Sequence, residues 1–288
     1  MAEFLPLAHR FAAALEQLPA DEAEHDAAAA VHAITSAVRQ FEWSLTVTHW
    51  DLGVEAEALG AELSRDASGT SVTARRPGSA AKAASVTTAA AIAHRIAVTR
   101  GIRGALGPRM GLAAMLTGPR TLSGLLEDGG ARLDALYGPL IRAYVEAGAD
   151  RLLIVEGGVE SGVEGGVEGS VEGRPAARPV GAPDDHGRTL RSLASTARYF
   201  RAPTMVLDLA GVDLAAYSGF DHVFGRDTAV LLPAAAICGA PGDTPVSLAR
   251  ASVVTTAGQI PADCPPALVA SWTEHIRGSG RLDSPMVS

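Results

Sequence analysis

A chain of 288 residues, 47% of them hydrophobic and only 5% aromatic, has enough Ala, Leu and Val for the core of one large barrel or doubly wound domain, or of two small domains. The formal net charge of −8 argues against nucleic acid or an anionic membrane surface as a partner. Lys82 is the single lysine and lies in a polar region, which argues against Schiff-base chemistry.

The cysteine content and the N-terminus both indicate a cytoplasmic protein. Two cysteines, Cys238 and Cys264, do not make a disulfide framework, so a reducing compartment is expected. The first residues are not typical of a signal peptide, because their apolar side chains recur at helical spacing with charges between them. Apolar runs stay shorter than the ~18 residues that a membrane span needs.

Residues 1–41 are predicted to form two amphipathic helices separated near Pro19. One face of the first helix would carry Phe4, Leu7, Phe11, Leu15 and Leu18. Further along, short apolar strands alternate with helices, a pattern typical of parallel β–α units. The seven strand candidates are 44–51, 111–118, 151–156, 203–208, 222–226, 234–239 and 252–257. A TIM-type (β/α)8 barrel needs eight strands, so we predict an α/β barrel that lacks or replaces its first strand.

The strand candidate 151–156 runs into a repeat in which a Val-Glu-Gly-rich unit recurs five times from Val155 to Gly173. Glycine at this density costs much conformational entropy to order, and the glutamates repel one another. We expect a flexible acidic insertion over 157–182, either a mobile loop over the barrel mouth or an expansion without a role. Residues 1–288 would otherwise form a single barrel domain. It would have N-terminal helices over 1–43 and a disordered tail over 278–288.

Three segments carry a resemblance to a known family. They are "HWDLGVEAEALGAEL" (49–63), "LTGPRTLSGLLEDGG" (116–130) and "YVEAGADRLLIVEG" (144–157), and "AICGAPGD" and "TTAGQIPADCPP" add weaker matches. Together they resemble strand ends of the uroporphyrinogen decarboxylase family over roughly residues 44–277. The wider superfamily includes the cobalamin-independent methionine synthases and zinc-dependent methyltransferases. The resemblance implies a TIM barrel and a small-molecule substrate, with no cofactor for the decarboxylase branch.

Asp51 is the catalytic residue that the resemblance favours, because in the family this aspartate stabilises a cationic intermediate during decarboxylation. A carboxylate at the C-terminal end of a barrel strand can point into the mouth and offset developing positive charge. The alternative is that Asp51 caps the next helix.

The sequence departs from the decarboxylase pattern at several positions. No strand with substrate-gripping arginines is recognised before residue 44, the catalytic tyrosine falls at Leu125, and the histidine near the last strand falls at about Ala257. Arg120 takes the place of an aromatic residue and is a second catalytic candidate, with a surface ion pair as the alternative. Glu156, at the rigid end of its strand, is the third.

Other strand ends supply candidates for substrate binding: His49, Asp208 and Cys238. His49 has the alternative of a satisfied core histidine, and Cys238 that of a small buried apolar residue. The methyltransferase branch needs a His-x-Cys and a further Cys to hold zinc, but this chain reads Ala-Ile-Cys at 236–238 and Gly258 near the last position, with Cys264 displaced. We therefore predict no metal site. The segment "PDDHGRTL" (183–190) is interpreted as a helix cap.

These observations predict a decarboxylase-like lyase that acts on a small molecule other than uroporphyrinogen. A methyltransferase-like protein with a degraded zinc site, and a non-catalytic binding or partner protein, remain alternatives. An open barrel edge exposes unpaired backbone groups, so the N-terminal helix is expected either to pack across the gap or to meet a partner chain. Dimeric family members favour a homodimer.

Overall fold

The computed structural model describes residues 2–66, 69–74, 85–126, 133–157, 183–209, 214–224, 229–243, 248 and 251–279. The expected flexible insertion over 157–182, apart from Gly157, lies outside the described residues. The expected tail over 278–288 also lies outside them beyond Ser279, whereas Gly278 and Ser279 belong to the last helix. Within these ranges, no helix has the length and apolar character to cross a membrane.

Strands and helices alternate along most of the chain. The strands are β1 (Glu3–Leu5), β2 (Leu45–Val47), β3 (Glu62–Asp66), β4 (Gly69–Ala74), β5 (Gly111–Thr117), β6 (Arg151–Glu156), β7 (Thr204–Asp208), β8 (His222–Val223), β9 (Ala229–Leu232) and β10 (Val253–Thr256). The helices are α1 (His9–Leu15), α2 (Ala20–His25), α3 (Ala27–Phe41), α4 (Val54–Leu59), α5 (Ala90–Leu106), α6 (Pro119–Leu125), α7 (Asp134–Glu146), α8 (Pro183–Tyr199) and α9 (Pro266–Ser279). Short 3₁₀ helices span Val86–Thr88, Leu214–Tyr217, Ala234–Cys238 and Pro241–Asp243.

Eight of the strands are parallel and follow the order of a (β/α)8 barrel. One ladder joins β2, β5, β6, β7 and β8, and a second joins β1, β10 and β9. Strand β1 lies beside β2, so the two ladders follow one another around the barrel. The antiparallel hairpin of β3 and β4 stands apart from this sheet. The predicted TIM-type α/β fold is therefore confirmed.

The first strand is present, which corrects the prediction that it is lacking or replaced. Glu3–Leu5 pairs with Val253–Thr255 of β10 in parallel register, and the Glu3 carboxylate forms an ion pair with Arg151 at the start of β6. The strand was misread because Phe4, Leu7 and Phe11 fit helical spacing. Pro6, which lacks an N–H and disfavours helix at the preceding residue, ends the strand. The N-terminal segment thus fills the gap with a strand, not with a helix.

A second correction concerns the strand candidate 234–239. The strand lies earlier, at Ala229–Leu232, and Ala234–Cys238 forms a 3₁₀ helix behind Pro233. The apolar run of the candidate is alanine-rich, and alanine is depleted in strands, whereas the "AVLL" of β9 contains the β-branched and large aliphatic residues that fit a sheet.

The barrel interior is filled by alternate residues of seven strands. They form one buried apolar cluster: Leu5, Leu45, Val47, Ala113, Met115, Leu153, Val155, Met205, Leu207, Ala229 and Val253. The residues between them face the helices and join two further clusters. Because successive side chains of a strand point to opposite faces, this alternation decides which polar groups at the strand ends face the barrel axis and which face the helix layer.

Candidate functional site

The barrel axis is apolar at the end where the strands finish. Leu7 belongs to the interior cluster, and Trp50, Leu52, Leu209 and Leu231 pack against it. Catalytic groups of (β/α)8 enzymes are carried by this end of the barrel. In this protein the polar side chains at the strand ends instead form hydrogen bonds and ion pairs with the surrounding helices, beside the axis.

Asp51 follows β2 and is only 7% exposed. Its Oδ1 accepts a hydrogen bond from the Gly53 N–H at 2.9 Å, at the entry to α4, and its Oδ2 lies 3.6 Å from Nη2 of Arg95 on α5. Arg95 is 8% exposed, so the charges face each other with little water between them. Asp51 therefore stabilises the turn into the next helix and also holds a buried arginine.

His49 lies two residues before Asp51 and is buried. Its Nδ1 is 2.8 Å from the Thr48 hydroxyl, and its ring stacks on Tyr144 with centroids 5.7 Å apart. Burial, followed by the positive charge of Arg95, holds the pKa of His49 well below its usual range, so the ring is neutral at pH 7. Its Nε2 is buried and has no hydrogen-bond partner within the described part of the chain.

His9 is a further candidate residue, which the sequence did not indicate. It begins α1, four residues after β1 ends at Leu5. Both of its ring nitrogens are buried without a hydrogen bond of normal geometry, although the carbonyls of Val47 and Thr48 are near. Burial, followed by the charge of Arg95, lowers the pKa of His9 to about 4. The signal that could have found it is the "EFLP" at 3–6, a short apolar strand closed by proline.

A small cleft, with a cavity volume of about 40 Å³, lies at these residues. The polar part of its wall consists of His9, Arg10, Thr48, His49, Arg95 and Gln259, and Trp50 with small and aliphatic residues of α1, α2, α3 and α5 completes it. The Arg10 N–H donates to Gln259 Oε1 at 3.0 Å, which ties the segment after β10 to the segment after β1. Two arginines and two neutral imidazoles give this wall a chemistry suited to a small anion.

Glu156 ends β6 and faces the helix layer, with 1% of its surface exposed. It accepts hydrogen bonds from the Arg120 N–H at 3.2 Å, from the Thr121 N–H at 2.9 Å and from the Thr121 hydroxyl at 3.0 Å. Burial raises its pKa to about 7, although these hydrogen bonds act in the opposite direction. The carboxyl group thus caps the first turn of α6, while the Arg120 side chain is exposed.

Glu55 is a second buried carboxyl group that the sequence analysis did not single out. It lies on α4 and accepts from the Thr117 N–H at 3.2 Å and the Thr117 hydroxyl at 2.6 Å, and burial raises its pKa to about 7. Tyr137 donates to the Thr117 carbonyl at 2.7 Å and lies within electrostatic reach of both Glu55 and Glu156. This line of polar groups runs along the end of β5, and Glu55 lies within electrostatic reach of Asp51.

The remaining candidates lie elsewhere. Asp208 ends β7 and accepts a long hydrogen bond of 3.4 Å from the Tyr217 hydroxyl. Cys238 ends the 3₁₀ helix after β9, outside the cleft wall, and packs against the apolar cluster that contains Cys264. His186 lies in α8, with Nε2 3.2 Å from the Ser123 hydroxyl.

The contacts therefore divide the predicted residues into groups. Asp51 and His49 share the surroundings of Arg95, and Glu156 meets the backbone of Arg120. Among the described residues, no group of three or more His, Cys, Asp or Glu side chains is placed to hold a metal ion. The ligand set of a zinc-dependent methyltransferase does not fit the two thiols present.

No protein-family model matches the sequence, and a search of curated proteins finds no match. Solved structures do share the fold. A methyltransferase from Methanosarcina mazei is 15% identical, with a TM-score of 0.66, and the alignment covers 96% of this chain and 93% of that one. A Listeria monocytogenes protein assigned as a vitamin-B12-independent methionine synthase is 10% identical, with a TM-score of 0.48 and 96% and 95% coverage. At 15% identity the methyltransferase likeness supports the barrel fold and leaves the activity open.

Proposed function

We propose that this protein is a divergent member of the uroporphyrinogen decarboxylase and methionine synthase-like superfamily that acts as a decarboxylase-like lyase on a small carboxylate. The resembling segments at 49–63, 116–130 and 144–157 and the (β/α)8 fold support membership. The cleft beside β1 and β2 supports the choice of a small acidic molecule, because its wall carries Arg10 and Arg95.

The observation that carries the proposal is the pair of buried imidazoles beside Arg95. A buried polar atom without a partner costs free energy, and a ligand oxygen would satisfy the ring nitrogens of His9 and His49. A bound carboxylate would also offset the charge of Arg95, the second cause of the low pKa of both rings. The ligand would therefore favour the protonated imidazole that a decarboxylase needs as a proton donor.

The chemistry follows from that protonation. Cleavage of the bond between the carboxylate and its carbon releases CO2 and leaves an electron pair on carbon, to which the imidazolium donates its proton. Asp51 acts as the electrostatic stabiliser, because its carboxylate orients Arg95 and compensates positive charge in the cleft. Neutral imidazole then takes a proton from water, and the cycle is complete.

The test combines binding with turnover. Isothermal titration in buffers of different ionisation enthalpy, with small mono-, di- and tricarboxylates as probes, is expected to show proton uptake on binding. Release of labelled CO2 would measure turnover. Replacing His9→Asn or His49→Gln is expected to weaken binding roughly tenfold, the value of one hydrogen bond to a charged group, whereas the exposed His275→Asn serves as the control.

Each outcome separates the candidates. Binding with proton uptake but without CO2 release would favour the non-catalytic binding protein. The absence of binding by every carboxylate, or equal effects of the cleft and control variants, would overturn the proposal. Uroporphyrinogen itself is expected to turn over more slowly than ~1 per second, because the family's tyrosine and last histidine are replaced.

A methyltransferase-like protein is the second candidate, favoured by the fold of the Methanosarcina mazei methyltransferase and by the packing of Cys238 against the apolar cluster that contains Cys264. Two thiols fall short of the usual three-ligand zinc site. Metal analysis of the purified protein, followed by zinc titration of wild type and Cys238→Ser, would decide. Stoichiometric zinc that is lost in the variant would favour this candidate over the lyase.

A further inference from the structure

The cleft beside β1 and β2 is buried on its inner side and partly open at its edge. The polar part of the inner side, which we call the floor, consists of the buried residues Thr48, His49 and Arg95. The apolar part of the floor consists of the buried residues Ala13, Ala30, Ile34 and Val98. The edge, which we call the rim, carries the partly exposed residues Arg10, Ala23, Trp50 and Gln259. A ligand group that meets Arg95 must therefore pass the rim and enter the buried part of the cleft.

The apolar part of the floor belongs to the packed helix layer. Ala30 and Ile34 lie four residues apart on α3, and so on the same side of that helix. On α5, Val98 follows Arg95 by three residues and lies on the same side as the arginine. Helices α3 and α5 pack against each other, and Ala30, Ile34 and Val98 are members of one buried apolar cluster. A close-packed cluster does not make room for a bulkier ligand without a cost in free energy, so these side chains fix the width of the floor.

The room in the cleft matches the end of a carboxylic acid. Its volume of about 40 Å³ is that of roughly three or four water molecules, since one water needs about 10–15 Å³. A carboxylate together with its neighbouring carbon fills such a space. A chain that continues from this carbon can extend past the rim, whereas a branch on the same carbon would press against the apolar part of the floor.

We propose that the cleft selects carboxylates that are unbranched at the carbon next to the carboxyl group, and that Ile34 is the residue that excludes a branch. Ile34 is the largest apolar side chain of the floor. The inference rests on the proposed function, because it takes the carboxylate to bind beside Arg95 and His49. It narrows the substrate to an acid whose carboxyl group is carried by an unbranched carbon, with the rest of the molecule at the rim near Trp50 and Gln259.

The experiment measures the binding of acetate, propionate, 2-methylpropionate and 2,2-dimethylpropionate to the whole protein by ligand-observed NMR titration. Wild type is expected to bind 2-methylpropionate at least roughly tenfold more weakly than propionate, because one extra carbon in a tight apolar pocket changes affinity by that order. Ile34→Ala removes the outer carbons of the side chain and is expected to bring 2-methylpropionate to within about threefold of propionate. Ala30→Val narrows the floor and is expected to weaken propionate binding about tenfold.

Ile102→Ala is the matched control. Ile102 lies on α5 in the same buried cluster but outside the cleft wall, so its replacement removes the same atoms from the core and leaves the composition of the floor unchanged. This variant is expected to keep the preference of wild type for propionate. Circular dichroism of each variant checks the fold. If Ile34→Ala does not fold, Ile34→Val, which loses a single methyl group, is expected to give a smaller gain for 2-methylpropionate.

Two results would overturn the inference alone: equal affinity of wild type for propionate and 2-methylpropionate, or the same preference in Ile34→Ala as in Ile102→Ala. Failure of every acid to bind would overturn the inference and the proposed function together. Selective binding without release of CO2 would support the inference and contradict the lyase activity, so the two proposals fail in distinguishable ways.

Discussion

Replacing Gly118 by alanine is the most direct test of how the buried carboxyl group of Glu156 is held in place. Gly118 has φ −66° and ψ 154°, which any residue adopts, so backbone strain plays no part in the result. An added Cβ would lie 2.5 Å from Oε2 and 2.6 Å from Cγ of Glu156, and closer still to Cδ. The carboxyl group of Glu156 would therefore have to move away from its present position.

The expected cost follows from what that carboxyl group holds. Its three hydrogen bonds to Arg120 and Thr121 are buried, and each contributes about 0.5–1.5 kcal/mol when the carboxyl group is neutral and up to ~3 kcal/mol when it is ionised. Partial loss of the set predicts that Gly118→Ala lowers the free energy of unfolding by roughly 3–5 kcal/mol, a large effect for one methyl group.

Gly124→Ala is the matched control, because Gly124 lies in α6, the short helix that Gly118 precedes, and no atom lies within 4 Å of its added Cβ. Alanine is expected to raise stability there by about 0.5–1 kcal/mol. Urea unfolding followed by circular dichroism measures both variants. The double variant Gly118→Ala/Glu156→Ala should cost less than the sum of the single changes. If Gly118→Ala were as stable as Gly124→Ala, the reasoning about Glu156 would be refuted.

Three other predictions concern pH, the cleft and the first strand. Because the pKa of Glu156 in the folded protein is about 7 against a usual 4.5, its contribution to folding stability is full below pH 4.5 and is lost as the pH rises through 7. Urea titrations should show the unfolding free energy of wild type, relative to Glu156→Gln, falling by up to ~3 kcal/mol over that window. A difference that does not change with pH would contradict the raised pKa. Asp51→Asn should lower the free energy of unfolding by about 2–3 kcal/mol, because it removes the carboxylate that faces buried Arg95. The control Arg142→Gln, which breaks an exposed ion pair, should lower it by less than ~1 kcal/mol, and equal losses would argue against the importance of the Asp51–Arg95 pair. Deletion of residues 1–20 should cause aggregation on a sizing column with light scattering, since it removes β1; the same measurement tests the expected homodimer, and a soluble, equally stable deletion would show that β1 is dispensable.

The central strands could be read from the sequence because buried parallel strands appear as short apolar runs. The candidate 151–156 coincides with β6, and 111–118 and 252–257 enclose β5 and β10. β1 was not recognised, because a three-residue strand has too few residues to show a period of two, and its neighbours continued a helical spacing.

The site was only partly readable for a different reason. Asp51 and His49 were found because they follow a strand, whereas Arg95 and Glu55 lie on helices and reach the site only through packing. The sequence also could not show that the carboxyl group of Glu156 points toward the helices. The direction of the last side chain of a strand depends on the register of that strand with its neighbours.

The pairing of β1 with β10 has a consequence for the synthesis of this protein. Glu3 is in register with Val253, so β1 meets its ladder partner only after about 250 further residues have been translated. At roughly 5–20 residues per second, the N-terminal strand leaves the ribosome some 10–50 seconds before β10 exists. During that interval Phe4 and Leu5, which are buried in the finished barrel, must be shielded by transient local contacts or by a chaperone. A trigger-type chaperone that holds short apolar N-terminal segments should therefore raise the yield of soluble protein, and slower translation should increase that dependence.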